Sequence, residues 1–187
     1  MLEMLKKSLE EAPVMKRGEY SYFIHPLTDA IPRIQPELLD EVAEAIIENS
    51  EMDVDTILTM EAMGIHIAAA ISLKTGLPFN IIRKREYGLP GEVVLDQSTG
   101  YSKGKMYIND IRKGDKVTIV DAVISTGGTL NAVIKGLERI GAEIKDIICV
   151  IERGDGVKKV MKETGYKVKT LVKIEVDGNV KIVKSIG

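Results

Sequence analysis

Short apolar runs alternate with helical stretches along most of this chain. The apolar runs cover residues 56–60, 78–82, 117–120 and 147–151, and helical stretches follow at 65–74 and 130–140. Continuous apolar runs are typical of parallel strands that are buried on both faces. Their alternation with helices is typical of right-handed crossover connections. The pattern therefore predicts an α/β fold in which a parallel twisted sheet is flanked by helices.

Polar residues follow each of these apolar runs directly. They are Glu61, the group Arg83-Lys84-Arg85, Asp121 and Glu152. The carboxyl ends of parallel strands meet at one edge of a sheet, and ligands of such folds bind beyond that edge. We therefore expect these polar residues to surround one site.

Two segments stand outside the alternation in the first two thirds of the chain. Residues 1–50 contain a helical stretch near 2–11 and another from Pro36 towards Glu48. Residues 85–108 hold two short strand-like pieces on either side of a polar, glycine-rich stretch. A long polar excursion within a compact domain is typical of a mobile functional loop.

The carboxyl-terminal segment has the pattern of a hairpin. Apolar residues at 168–176 and 180–183 flank Asp177-Gly178, which is a strong turn signal. No repeat or low-complexity tract interrupts the chain. We therefore expect a single domain over residues 1–187.

Composition excludes several classes of function. With 26 basic and 28 acidic side chains, the net charge of −2 lacks the basic excess of a general nucleic-acid coat protein. One cysteine, Cys149, excludes an internal disulfide and a cysteine-rich zinc site, and His25 and His66 lack partners at metal-ligand spacing. No run of about 18 apolar residues is present, and the first residues lack the apolar centre of a signal peptide. We expect a cytoplasmic protein that binds neither membrane nor nucleic acid.

The segment after the third apolar run has the chemistry of a phosphate-binding turn. Its residues are Ser125, Thr126, Gly127, Gly128 and Thr129, and they open the helical stretch that follows Asp121. Adjacent glycines let backbone amides turn inward, the threonines add hydroxyl donors, and a helix start carries partial positive charge. A merely tight strand-to-helix turn is the alternative. A triphosphatase loop is excluded because no lysine follows Gly128, and a dinucleotide-binding loop because the glycine spacing differs.

The chain resembles the type I phosphoribosyltransferases. The motif VTIVDAVISTGGT at 117–129 is similar to their phosphoribosyl pyrophosphate (PRPP) motif, and two further matches, 61–64 and 83–91, occur in the expected order. Together the matches span about residues 20–155. The pattern is most similar to the adenine and xanthine branch, and FIHPLTDAIP (23–32) with VIERGDG (150–156) resembles its archaeal hypoxanthine/guanine enzymes.

The resemblance implies a purine salvage enzyme. It transfers 5-phosphoribosyl from PRPP to hypoxanthine or guanine, giving IMP or GMP and pyrophosphate, with adenine or xanthine as the alternative base. The resemblance also implies Mg²⁺ carried by PRPP rather than by protein ligands, and a homodimer. Residues 1–50 then correspond to an amino-terminal hood and dimer segment, and residues 85–108 to a flexible lid.

The resemblance assigns a role to each candidate residue. Residues 125–129 hold the 5′-phosphate, and Asp121 and the lid residue Tyr101 belong to the catalytic site. The expected pyrophosphate ligands are Glu61, Ala62, Met63, Gly64 and Lys84, and the expected base-binding residues are Phe23, Glu152 and Asp155. Some alternatives remain open, because residues 61–64 also suit an ordinary helix start and Phe23 or Tyr22 suits either base stacking or core packing. No general base is assigned, because Ser125 stands where the other 6-oxopurine branch has an aspartate.

One position departs from the family pattern. Ala122 stands where a second acidic residue is expected beside Asp121. A carboxylate that accepts a hydrogen bond from a ribose hydroxyl contributes about 1.5–3 kcal/mol. The departure therefore supports a second hypothesis, a regulatory protein that binds PRPP or a nucleotide with weak or no turnover.

Overall fold

The computed structural model describes residues 2–18, 20–98 and 103–186. The helices are α1 (Glu3–Glu10), α2 (Pro26–Asp29), α3 (Pro36–Asn49), α4 (Ile65–Thr75), α5 (Gly128–Ile140) and α6 (Gly156–Thr164). The strands are β1 (Val14–Arg17), β2 (Tyr20–Phe23), β3 (Thr56–Met60), β4 (Phe79–Ile82), β5 (Val93–Ser98), β6 (Lys103–Ile108), β7 (Lys116–Ile124), β8 (Glu143–Arg153), β9 (Lys169–Asp177) and β10 (Asn179–Ser185).

A six-stranded sheet in the order β10-β9-β8-β7-β3-β4 forms the centre of the molecule. The strands from β9 to β4 are parallel, and β10 pairs antiparallel with β9 through the hairpin at Gly178. This arrangement confirms the predicted α/β fold with its mostly parallel sheet. The predicted carboxyl-terminal hairpin is also present.

The central strand β7 is longer than its apolar run. The sequence pattern predicts that the strand ends at Asp121, but pairing with β8 continues until Ile124 lies opposite Glu152. The pairing holds because Val123 and Ile124 are apolar and have partners on β8, so the polar Asp121 interrupts the apolar run without ending the strand. Asp121 therefore lies within the sheet edge rather than in the following turn.

Two apolar layers cover the two faces of the sheet. One contains Leu5 of α1, Val42 of α3 and Ile67 of α4, and the other contains Leu137 of α5 and Met106 of β6. Side chains of a strand alternate between faces, so Val120 and Ala122 of β7 belong to the first layer and Val117 and Ile119 to the second. Since both faces are covered, near-continuous apolar strands are required.

The amino-terminal segment contains elements that the sequence pattern does not predict. β1 and β2 form an antiparallel hairpin that pairs Val14 with Phe23, and the short helix α2 follows. These strands have four residues each, which is too short for a recognisable period of two. The predicted helical stretches are present as α1 and α3.

The segment 85–108 forms a loop followed by the antiparallel ribbon β5–β6. The Glu92 carboxylate accepts hydrogen bonds from the backbone amides of Tyr87 and Gly88, each at 3.0 Å, and from Asn109 Nδ2 at 2.8 Å. Leu95 and Met106 bury the ribbon against the α5 side of the sheet. The base of the predicted lid is therefore packed, while residues 99–102, including Tyr101, lie outside the described part of the chain.

Candidate active site

Three helices begin at the carboxyl edge of the parallel strands. Gly64 precedes α4, Gly127 precedes α5 and Asp155 precedes α6, and none of these three positions caps its helix with a side-chain hydrogen bond. The first amides of an uncapped helix carry partial positive charge. This edge is therefore suited to anionic ligands.

The predicted phosphate cradle lies between β7 and α5. Gly127 adopts φ of 80°, a left-handed conformation that glycine permits at no steric cost, and its carbonyl accepts the hydrogen bond from Asn131 N. α5 begins at Gly128, and its N-cap residue Gly127 makes no side-chain capping hydrogen bond. Residues 125–129 therefore connect β7 to a helix start without a side-chain cap, which suits an anion, and phosphate binding at this turn stays a prediction.

Asp121 lies in β7, four residues before the cradle begins, and next to the turn after β3. Its Oδ1 accepts a hydrogen bond from the Ala122 amide at 2.8 Å, and a Cβ added to Gly64 would lie 3.2 Å from the same oxygen. Burial raises the pKa of the Asp121 carboxyl group to about 7, and the Ala122 amide only partly opposes this rise. The neutral and the charged form of the Asp121 carboxyl group are therefore both accessible near neutral pH.

Ala122 faces the opposite side of the sheet from Asp121. Its side chain is fully buried in the same apolar cluster as Val120 and Leu27. A small apolar residue fits this position because the amino-terminal layer covers it. The departure from the family pattern thus coincides with a packing site.

The turn at 61–64 is attached to the end of β4. Glu61 Oε2 lies 2.6 Å from Arg83 Nε, and Glu61 Oε1 accepts a hydrogen bond from the Lys84 amide at 2.5 Å. Burial acts to raise the pKa of Glu61, but the hydrogen bond from Lys84 and the pairing with Arg83 outweigh it and lower the pKa. The Glu61 side chain therefore holds the turn, and any contact with pyrophosphate falls to the backbone of 61–64 and to the exposed Lys84.

Two of the predicted base-binding side chains are engaged in the interior. Phe23 is 5% exposed, with the Arg153 guanidinium 5.8 Å from its ring centroid. Glu152 is 8% exposed and pairs with Lys173 Nζ at 2.7 Å. Base stacking by Phe23 would require this packing to open, so contact of either residue with a base stays a prediction.

Asp155 differs from the other two because its side chain is exposed. It pairs with Lys159 at 3.1 Å on the first turn of α6. Its position at the start of α6 places it next to the phosphate cradle. Its contact with a purine likewise stays a prediction.

Sequence reasoning did not identify two connections near the site. Arg153 Nη2 donates to the Ser21 carbonyl at 2.5 Å, which joins the end of β8 to β2. His25 is fully buried, its Nδ1 accepts from the Leu27 amide, and its Nε2 therefore donates to Ser8 Oγ at 2.9 Å. Both connections tie the amino-terminal segment to the sheet, and a partner distant in sequence leaves no local signal.

Comparison with known proteins identifies the family to which this chain is similar. The family model described as phosphoribosyl transferase domain matches residues 31–184. Hypoxanthine/guanine phosphoribosyltransferase of Methanohalophilus mahii is 59% identical over 100% of this chain and 98% of its own. The enzyme of that name from Methanocaldococcus infernus is 61% identical over 95% of this chain and 98% of its own.

A solved structure shows the same fold at lower sequence identity. The crystal structure of adenine phosphoribosyltransferase from Thermoanaerobacter pseudethanolicus superposes with a TM-score of 0.74 at 24% identity, covering 92% of this chain and 99% of that one. None of the helices described for the present chain is both long and apolar enough to cross a bilayer. The match over 31–184, together with relatives of about 60% identity, shows that the chain belongs to the phosphoribosyl transferase domain family.

Proposed function

We propose that this protein is a purine salvage enzyme that transfers 5-phosphoribosyl from PRPP to hypoxanthine or guanine, giving IMP or GMP and pyrophosphate. The observation that carries the proposal is the uncapped start of α5 beside the partly buried Asp121. The names of the relatives at 59% and 61% identity support the choice of base. Adenine is the alternative that the compared crystal structure suggests.

The 5′-phosphate binds at residues 125–129. Backbone amides at the start of α5 donate to its oxygens, and the partial positive charge of the helix start stabilises the anion. Asp121 accepts hydrogen bonds from the ribose hydroxyls at the same edge. These two contacts orient the sugar so that its anomeric carbon faces the base.

Pyrophosphate leaves towards the turn at 61–64 and Lys84. Backbone amides of a tight turn form an anion-binding concavity, and Lys84 adds a full positive charge. Glu61 orients both groups through Arg83 and the Lys84 amide. The protein thus stabilises the charge that develops on the leaving group.

Mg²⁺ binds with PRPP in this proposal. Among residues 2–18, 20–98 and 103–186, no group of three or more His, Cys, Asp or Glu side chains could hold a metal ion. A donor set of one carboxylate, Asp121, fits an ion that keeps water and substrate oxygens as most of its ligands. When bound, Mg²⁺ neutralises charge on the pyrophosphate oxygens.

The reaction exchanges one bond at the anomeric carbon for another. The bond from this carbon to the pyrophosphate oxygen breaks, and a bond to a purine ring nitrogen forms. The nitrogen releases its proton, for which the described residues provide no assigned acceptor. The contribution of the protein is to position both reactants and exclude water.

The alternative of a regulatory protein with weak turnover arises from Ala122. Since packing against the amino-terminal layer accounts for an apolar residue at this position, no observation here favours that alternative. The homodimer expected from the family stays a prediction, which sedimentation equilibrium tests directly. The cytoplasmic location also stays a prediction.

A product assay tests the proposed function. The protein is incubated with PRPP and Mg²⁺ and with adenine, hypoxanthine, guanine or xanthine in separate reactions, and nucleotide and pyrophosphate are measured. We expect IMP and GMP to form fastest and no product without Mg²⁺. Failure to form nucleotide from any purine would overturn the proposal, whereas AMP alone would change only the base.

A further inference from the structure

Two strand-to-helix turns lie against each other at the phosphate cradle. The first is the cradle itself, 125–129, and the second is Gly154-Asp155-Gly156, which connects β8 to α6. Gly156 is buried and is the first residue of α6. Since the second turn lies directly behind the cradle, it forms a support for the residues that receive the phosphate.

Neither glycine at this contact has room for a side chain. A Cβ built on Gly156 would lie 2.4 Å from the Ser125 carbonyl oxygen and 2.9 Å from Gly127 N. A Cβ built on Gly127 would lie 2.9 Å from the Gly156 carbonyl oxygen and 2.8 Å from Val160 Cγ2. Because most of these neighbours are backbone atoms, which cannot rotate away, a methyl group at Gly156 must displace one of the two turns.

The helices behind the turns are joined, which limits how the contact can relax. Asn131 Nδ2 of α5 donates to Glu163 Oε2 of α6 at 2.7 Å. Val160 of α6 is fully buried in the same cluster as Leu130 of α5. Since α5 and α6 pack as a pair, a displacement caused by residue 156 falls on the short turn at 125–127.

We propose that Gly156 is a positioning residue for the phosphate cradle, through which α6 sets the place of the Ser125 carbonyl and the Gly127 amide. This inference rests on the proposed function, in which residues 125–129 bind the 5′-phosphate. The inference also gives the Gly154-Asp155-Gly156 turn a second role, in addition to the predicted contact of Asp155 with the purine. The expected consequence is selective, because ligands without a 5′-phosphate do not use the cradle.

The test uses Gly156→Ala in the full-length protein. Gly156 is not in the left-handed region and alanine favours helices over glycine, so the substitution does not weaken α6 itself. We expect the Kd for GMP and the KM for PRPP each to rise about tenfold or more, because a small misplacement of binding groups has large effects. The Kd for pyrophosphate should stay close to that of the unsubstituted protein, because pyrophosphate does not use the cradle.

Gly165→Ala provides the matched control. Gly165 ends the same helix at φ of 80°, and no atom lies within 4 Å of the place where a Cβ would be added. This substitution strains the backbone and lowers stability without touching the cradle. If it weakens GMP binding as much as Gly156→Ala does, loss of stability explains the effect and the inference is wrong.

A second variant covers the case in which Gly156→Ala does not fold. Val160→Ala removes the methyl groups beneath Gly127 and should weaken GMP binding in the same direction but by a smaller factor. Unchanged GMP binding in both variants, or an equal loss of pyrophosphate binding, would overturn the inference. If the unsubstituted protein binds neither GMP nor PRPP, the proposed function fails instead, so the two failures are distinguishable.

Discussion

Glu61 and Arg83 join two neighbouring strand ends through an ion pair of 2.6 Å between Oε2 and Nε. Arg83 also exchanges two backbone hydrogen bonds with Tyr107 of β6, at 3.1 and 2.7 Å. The turn at 61–64 is therefore connected through Arg83 to the ribbon that forms the base of the predicted lid. A change at Glu61 should act on both.

Glu61→Gln should raise the KM for PRPP about tenfold. The glutamine side chain cannot bind both the Arg83 guanidinium and the Lys84 backbone amide as a carboxylate does. Loss of a charge-assisted hydrogen bond costs about 1.5–3 kcal/mol. The KM for the purine base should change little. Steady-state kinetics with each substrate varied in turn gives the measurement. Glu86→Gln removes the same charge from an exposed position nearby and serves as the control; an equal effect there would contradict the prediction.

Asp121→Asn should change how stability depends on pH. Burial raises the pKa of Asp121 from 3.8 to about 7, so the folded state holds a proton that the unfolded state releases within this range. The free energy of unfolding of the unsubstituted protein should therefore fall, relative to the variant, by up to about 1.4 kcal/mol per pH unit as the pH rises through this window. Urea unfolding of both proteins at pH 4, 5.5, 7 and 8 measures the difference, and a constant difference would contradict the raised pKa.

The same variant should lose most activity if Asp121 binds the ribose hydroxyls. An amide accepts hydrogen bonds more weakly than a carboxylate, so we expect a loss of about tenfold or more in kcat/KM for PRPP. Retained activity would remove Asp121 from the catalytic site. The prediction on the pH dependence of stability would still hold, because it depends only on the burial of Asp121.

Ala122→Asp should destabilise the protein rather than restore a missing function. The Ala122 side chain is fully buried among apolar residues, and an uncompensated buried charge costs about 3 kcal/mol or more. Thermal unfolding measures the loss of stability, and the product assay measures activity. Ala122→Asn serves as the control, because asparagine has the size of aspartate but no charge. A rise in activity at unchanged stability would instead support the role of a second acid at this position.

His25→Gln should remove an acid-sensitive contribution to stability. Burial lowers the pKa of His25 from 6.5 to about 4, opposed in part by the charge of Asp29. Because the unfolded state binds a proton in this range and the folded state does not, the stability that His25 contributes is complete above pH 6.5 and is lost as the pH falls towards 4. Glutamine offers an acceptor and a donor in place of the ring nitrogens, so the variant should fold.

Urea unfolding between pH 7.5 and 4.5 measures the effect of His25→Gln. The unsubstituted protein should lose up to about 1.4 kcal/mol per pH unit more than the variant does below pH 6.5. His66→Gln should change the pH dependence less, because His66 is only partly buried. Equal slopes for the unsubstituted protein and His25→Gln would contradict the lowered pKa.

The fold could be predicted from the sequence because strands that are buried on both faces of a sheet are apolar at nearly every position. Residues 56–60 and 147–151 are examples. The carboxyl-terminal hairpin could be predicted because Asp177-Gly178 is a strong turn signal. β1 and β2 could not be predicted, because strands of four residues carry too little periodicity. The extension of β7 to Ile124 depends on pairing with β8. The polar Asp121 interrupts the apolar run, so the sequence pattern does not show that the strand continues beyond it.

The backbone of the candidate site could be predicted from the sequence where glycines and a helix start determine it. The cradle at 125–129 depends on glycines and a helix start, both visible in the sequence. The side chains of Glu61 and Glu152 could not be placed in this way, because Arg83 and Lys173 come from other strands. Likewise, only the folded chain shows that Asp121 and Ala122, adjacent in sequence, face opposite layers.

The three uncapped helix starts and the exposed Lys84 and Arg85 place positive charge at one edge of a protein whose net charge is −2. The carboxylates of Glu61, Glu152 and Asp155 at the same edge are offset by their ion pairs with Arg83, Lys173 and Lys159. A multiply charged anion approaching in dilute salt is turned towards the correct edge before it makes contact, and added salt weakens this guidance. The arrangement of helix starts thus shapes the rate of capture as well as the strength of binding.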